Sequence, residues 1–428
     1  MLDVCPGVVV KASQLKYTIS KALLITVVVM LGSGCGQSKN ETHQVPGPPV
    51  SAKSAQPHLQ NLPDGAPLLS WQEQTAEGTT LKASIYRNHQ WQPARTVAHG
   101  TNWFVNWADF PSITPISESV WAAHWLQKNG PGSYAYDVAI AFTENAGASW
   151  SKATIPHNDG TETEHGFVSL YPMGDAIGAI WLDGREMANT DHAADHSHAN
   201  HAGGGMTLRS AVIRTDGSQS HEQQIDGLVC ECCQTDVAVS AVGPIAVYRN
   251  RSEHEVRDIY YSRFINQHWS EGKAVSADQW VVEGCPVNGP AIAAANELVA
   301  VAWYTEANQQ PRVRLAISRD AGSSFSNAID LDNEQPIGRV DVVALTGNRV
   351  FASWIRRAQG DRGELVLQAV VNGEPQSSPT VIAQADISRP GGFPQMIEHN
   401  GSLLFAWTEP DDSGSRVKTT LIPLADLL

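Results

Sequence analysis

Short apolar runs end on an aromatic residue at nearly even spacing along this chain. PLLSW, WAAHW, IGAIW, PIAVY, LVAVAW, VFASW and LLFAW close on Trp71, Trp125, Trp181, Tyr248, Trp303, Trp354 and Trp407, with gaps of 54, 56, 67, 55, 51 and 53 residues. After each run comes a polar loop and then a second run that alternates: LKASIY, YDVAIAF, LRSAVI, RDIYYS, VRLAIS, LVLQAV and RVKTTLI. Alternation is the period of a half-buried strand, so each unit reads as a strand pair. A strand-built unit repeating every 40–60 residues or so predicts a β-propeller. One unit cannot bury both its faces, whereas seven arranged about an axis can. The fold expected is all-β, a seven-bladed β-propeller.

Within a blade the strands are A to D from the axis outward. The fifth unit shows all four: PAIAAA is A, LVAVAW is B, VRLAIS is C, and SSFSNAIDL carries D. The last unit offers no D strand after LIPLADLL. A strand from before Pro57 is therefore expected to complete that blade and close the ring, removing exposed sheet edges. The repeat is unbroken, which predicts a single domain over 57–428. A formal net charge of −15 argues against nucleic acid as a partner.

Two C–D turns are more specific. TENAGASW (143–150) and SRDAGSSF (318–325) match S/T-x-D/N-x-G-x-S/T-W/F, and degenerate versions occupy 84–91 and 262–269. The Asp or Asn caps the turn, glycine takes a left-handed backbone, and the aromatic pins the hairpin. The pattern resembles the Asp-box, or BNR repeat, of the sialidase-like propellers, over essentially all of 57–428. Sialidase propellers have six blades, so the resemblance supplies a six-bladed alternative. It also implies an arginine cluster for a sugar carboxylate, a Tyr–Glu nucleophile and an Asp acid/base. The F/Y-R-I-P motif that carries the first arginine is absent here, and no counterpart of the nucleophilic tyrosine stands out.

The first 35 residues read as an address. Lys11, Lys16 and Lys21 precede ALLITVVVML, which is short for a membrane span and has a secretory shape. Cys35 after Gly34 resembles a bacterial lipoprotein processing site, although Leu31 stands one position further from the cysteine than that pattern has it. Lipidation at Cys35, a flexible tether over 36–56 and a membrane anchor are expected. Gly36 favours the outer membrane of the cell envelope, by resemblance to the enterobacterial sorting pattern.

Propeller D–A and B–C loops emerge on one end, and A–B and C–D turns on the other. Most chemistry-bearing residues fall on the D–A/B–C end, where propellers place sites. Cys230, Cys232 and Cys233 sit in one D–A loop and Cys285 in the next. In an oxidising compartment these suggest a disulfide from Cys285 to one of the other three; the alternative is a thiolate site for copper or zinc. The insert after WLDGRE holds His192, His196, His198 and His201, either a solvated loop or a metal-binding one. No cofactor is otherwise required.

The remaining charges suggest acid–base work on an anionic ligand. Glu164, Asp159 and Asp183 are the catalytic candidates. Arg185, Arg249, Arg257 and Arg339, with His157 and His165, are the candidates for gripping an acidic glycan or other small anion; alternatively these charges pair with each other and brace the loops. Three function classes follow: a sialidase-like glycoside hydrolase, a non-catalytic surface-binding scaffold, and an envelope metal protein.

Overall fold

The computed structural model describes residues 47–188, 204–358, 362–412 and 414–428. Seven antiparallel sheets follow one another along the chain, each beginning with its inner strand. The protein is thus a seven-bladed, all-β propeller. The second strands are Pro67–Thr75, Trp121–Lys128, Ala176–Asp183, Gly243–Arg249, Leu298–Thr305, Arg349–Arg357 and Ser402–Asp411, one for each periodic aromatic. Among the described residues no helix is long and apolar enough to cross a membrane.

The aromatic period has a physical cause. Trp71, Trp181, Trp303 and Trp354 are fully buried, filling the space between adjacent blades. A buried indole N–H must find an acceptor. Each does, on a carboxylate: Trp71 on Glu73 at 2.9 Å, Trp181 on Asp183 at 2.8 Å, Trp303 on Asp278 at 2.7 Å and Trp354 on Asp332 at 2.6 Å. Tyr248 repeats the device through its hydroxyl, donating to Asp226 at 2.8 Å.

The turns over 143–150 and 318–325 share one hydrogen-bond scheme. The Thr143 and Ser318 hydroxyls accept from Gly147 and Gly322 N–H, and Asn145 and Asp320 accept from Ser149 and Ser324 N–H. Gly147 and Gly322 have φ of +80° and +79° and lie against Trp121 and Ile245, so a Cβ would be both strained and obstructed.

Register confirms which loops share an end. His165 pairs with Asp183, and Arg249 with Ile259, so inner-strand starts and second-strand ends lie together. Trp121 pairs with Thr143 at the opposite end. Inner strands from all seven blades surround an axial cavity of about 130 Å³, lined in part by His58, Ser112, Ser169, Asp236, Ala291, Asp341 and Gln395.

Ring closure differs from the expected added strand. The segment before Pro57 meets the outer edge of the last blade through one parallel bridge, Lys53 to Ser415. Ser54 Oγ accepts from Val417 N–H at 3.0 Å, Ser415 Oγ donates to Ser54 O at 3.0 Å, and Gln56 N–H donates to Thr408 Oγ1 at 3.1 Å. The chain then continues as the first blade's inner strand, Ser54–Asn61, with an irregularity between Ala55 and His58. Ser54 and Ala55 already pair with Glu73 and Gln72, so they form a seam between two blades and not a fourth strand of one. The expected domain start at 57 falls inside this strand, at a proline that has no N–H for a ladder.

Candidate functional site

The D–A loop into the third blade builds a compact acid–histidine group. His157 and His165 stack with ring centroids 3.8 Å apart and planes 7° from parallel. His165 Nδ1 lies 3.2 Å from the carbonyls of Tyr136 and Thr163, which only accept, so Nδ1 carries a proton. Its Nε2 faces Asp159 Oδ2 at 3.2 Å and Asp183 Oδ1 at 3.8 Å. His157 contacts Asp159 at 3.2 Å and Asp137 at 3.7 Å. Arg185 spans Asp183 and Asp159 at 2.7 and 3.4 Å. Burial pushes the His157 imidazole down to about 4, helped by the neighbouring His165. Burial opposes ionisation of Asp159 and Asp183. Hydrogen bonds from Thr161 to Asp159 and from Arg185 to Asp183, with the charges of His165 and Arg185, still hold both below the usual carboxylate range. Both carboxylates are committed: Asp183 carries the Trp181 indole and Arg185, and Asp159 carries Thr161 and His157.

Beside this group stands a carboxyl of opposite character. Tyr136 Oη lies 2.7 Å from Glu164 Oε1 and 3.2 Å from Asp109 Oδ2. One hydroxyl proton cannot serve both contacts, so at least one carboxyl brings its own. Burial pushes Glu164 up to about 8, with the Tyr136 hydrogen bond pulling the other way and Asp109 adding to the rise. Burial likewise pushes Asp109 up to about 7. Tyr136 itself is 1% exposed, stacks on Phe104 at 4.0 Å, and is raised well above a free phenol by burial and then by the two carboxyls. Gly166 is what permits this approach, since a Cβ there would collide with Asp109 and Tyr136. Glu164 is the half-buried member of the three.

The next two loops bring the cysteines together. Cys230 Sγ is 2.9 Å from Cys233 Sγ and 3.8 Å from Cys232 Sγ. The Cys285 thiol lies beside that of Cys232. No disulfide joins the four in this structure, and Cys285 does reach the predicted loop. Arg257 donates to Cys230 Sγ at 3.3 Å and to Glu231 and Glu255 at 3.0 and 2.9 Å. Arg251 pairs with the same two glutamates.

The predicted arginine cluster does not assemble around an open point. Arg249 is buried and donates only to backbone carbonyls, those of Asn288, Arg257 and Tyr304, with its guanidinium 4.8 Å over the Trp280 ring. Arg339 lies at another junction, donating to Gly392 O and Ile387 O and stacked over Trp107 at 4.9 Å. A buried guanidinium needs acceptors, and the blade-end carbonyls supply them. Arg185 and Arg209 remain as partly exposed cations near Asp183, their side chains 15% and 14% exposed. His192, His196, His198, His201 and Cys35 lie outside the described residues. Sequence reading missed Tyr136, Asp109 and Asp137. Tyr136 had no signal beyond a strand-initial aromatic in YDVAIAF.

No protein-family model matches the chain, and no curated protein matches it. Solved structures do. A PL25 ulvan lyase superposes with a TM-score of 0.52 at 10% identity, covering 89% of this chain and 99% of its own. The polysaccharide lyase Uly1 gives 0.51 at 10% identity, covering 88% and 91%. A Hadza microbial sialidase, Hz136, gives 0.44 at 11% identity, covering 75% and 66%. The propeller is shared with the two lyases; at such identity the likeness stops at the fold.

Proposed function

We propose that this propeller binds and cleaves an acidic glycan at the mouth formed by its D–A and B–C loops, with Glu164 as the proton-transferring group. The observation that carries this is the Glu164 carboxyl, held 2.7 Å from Tyr136 Oη and pushed up to about 8 by burial, while Asp159 and Asp183 beside it stay ionised. Carboxyls driven apart in this way are how a site holds an acid and an anion together near neutral pH. Arg185 and Arg209 supply fixed positive charge for a sugar carboxylate or sulfate. The ulvan lyase and Uly1 support the reading only so far as both carry polysaccharide chemistry on this fold. Asp183 serves here as a structural anchor, because it repeats the carboxylate that pins Trp71, Trp303, Trp354 and Tyr248.

The test is the full chain, purified and offered uronate-containing, sulfated and sialylated glycans. Turnover that is lost in Glu164→Gln while binding persists supports the proposal, and product analysis then separates hydrolysis from elimination. Binding without turnover in the unaltered protein leaves a scaffold. Neither binding nor turnover on any glycan ends the reading.

A further inference from the structure

The cysteine cluster is not used by the glycan site and stands independently of that reading. Two loops, 226–236 and 281–290, deliver four sulfurs to one place. The Sγ atoms of Cys230, Cys232 and Cys233 all lie within 4.8 Å of one another, and Cys285 adjoins Cys232. Cys230 and Cys233 are buried, Cys232 is half-buried and Cys285 is exposed, so the group has an inside and an entrance.

A second observation concerns Arg249. It is 2% exposed, and all four of its hydrogen bonds end on neutral carbonyl oxygens. A buried cation without an anion is costly. Asp258 lies within the field of Arg249 but turns its two oxygens to the Gln279 and Trp280 N–H groups, and Glu231 and Glu255 are shared by Arg251 and Arg257. The sulfur of Cys233 lies within the field of Arg249 and also receives the backbone N–H of Asn288. Arg257 donates to Cys230 from the other side at 3.3 Å. One guanidinium, Arg257, thus donates to a sulfur, and the positive charge of a second, Arg249, acts on the sulfur beside it, as a set of thiolates requires.

We propose that Cys230, Cys232 and Cys233 form a thiolate site for a soft monovalent cation, Cu(I), with Cys285 as the entry ligand. Thiolates select soft metals, and this group contains no imidazole or carboxylate to favour a harder one. Three converging sulfurs suit a low-coordinate ion, and Arg249 and Arg257 offset the negative charge of a tris-thiolate complex. Binding releases the thiol protons to solvent and transfers no electron.

The experiment titrates Cu(I) into reduced, full-length protein under anaerobic conditions, in competition with a chromogenic Cu(I) chelator. One equivalent per chain is expected, with a sulfur-only coordination shell by X-ray absorption. Cys230→Ser and Cys233→Ser should each weaken binding at least about 100-fold, and Cys285→Ser about 10-fold. Since Cys285 is exposed, its variant should melt as the parent does, which keeps the test valid if the buried variants misfold. Replacing His192, His196, His198 and His201 by Asn should leave this equivalent in place. Uptake that follows the histidines, or that ignores Cys285→Ser and Cys233→Ser, overturns the proposal. So does reduced protein that binds no Cu(I) and whose cysteines pair as two disulfides when isolated without reductant.

Discussion

Tyr136 and Glu164 lie 28 residues apart in sequence and 2.7 Å apart in space, joined across a parallel bridge between a strand start and the incoming loop. The tyrosine thereby helps set the proton affinity of a half-buried carboxyl at the D–A/B–C end. Its hydrogen bond pulls Glu164 down, against burial and Asp109, which push it up.

Turnover should therefore require protonated Glu164 and decline as pH rises through about 8. Glu164→Gln keeps an acceptor for Tyr136 but removes the mobile proton, so the rate should fall about 10²–10⁴-fold with affinity little changed. Tyr136→Phe removes the stabilising hydrogen bond and should move the alkaline limb upward. A limb that stays put, measured as kcat against pH, would show that another group titrates.

The indole–carboxylate pins predict a different outcome for Asp183. Asp332→Ala strands the Trp354 N–H in the core, and Asp183→Ala strands that of Trp181. Each should cost roughly 1–3 kcal/mol in urea unfolding. Asp183→Ala should cost the more of the two, since Arg185 also loses its closest partner. Full stability with lost turnover in Asp183→Ala would instead make it part of the chemistry.

The blades were legible because each junction buries one large ring, and a periodic demand leaves a periodic trace in the sequence. The loop ends were legible too, since strand alternation fixes which loops share an end. The arginines were not. Arg249 and Arg339 stand in polar loops that read as solvent-facing, and only the packing of neighbouring blades shows them closed over by Trp280, Trp107 and Phe393. Tyr136 escaped notice for the converse reason. It looks like core in YDVAIAF, and its hydroxyl gains a role only when the loop carrying Glu164 folds back beside it. The ring closure was half legible: the missing outer strand could be read, but not that residues 53–56 would be shared by two blades.

The axial carboxylates make stability pH-dependent. Asp236 and Asp341 line the cavity and accept N–H bonds from the next blade, Ile292 and Met396. Burial pushes Asp236 up to about 6 and, with the charge of Asp236 adding to it, Asp341 up to about 8. Between about pH 4 and these values the folded chain keeps protons that the unfolded chain has released. Stability should then fall as pH rises, by roughly 1.4 kcal/mol per pH unit for each retained proton, and level off above about 8. Asp341→Asn should flatten the slope between pH 6 and pH 8, read from denaturant midpoints. A slope unchanged by the substitution would place the titration elsewhere.

The seam between first and last blades offers a paired test of ring closure. Ser54 is fully buried; its hydroxyl donates to Ser51 O at 2.9 Å and accepts the Val417 N–H at 3.0 Å. Asn61 crosses the same seam, donating to Glu398 O at 2.8 Å, but from an exposed position. Ser54→Ala leaves a buried donor with no acceptor and no room for water to replace it, so it should cost about 1–3 kcal/mol. Asn61→Ala exposes a carbonyl that solvent can satisfy, and should cost less than about 0.5 kcal/mol. Hydrogen exchange adds a local reading: the Val417 amide should lose protection in Ser54→Ala ahead of amides in the third to fifth blades. A seam that closes the ring gives that order, because opening there frees the last blade first. Equal costs for the two substitutions, with Val417 protection unchanged, would mean that Lys53, Ser54 and Gln56 merely lie along the last blade and hold nothing shut.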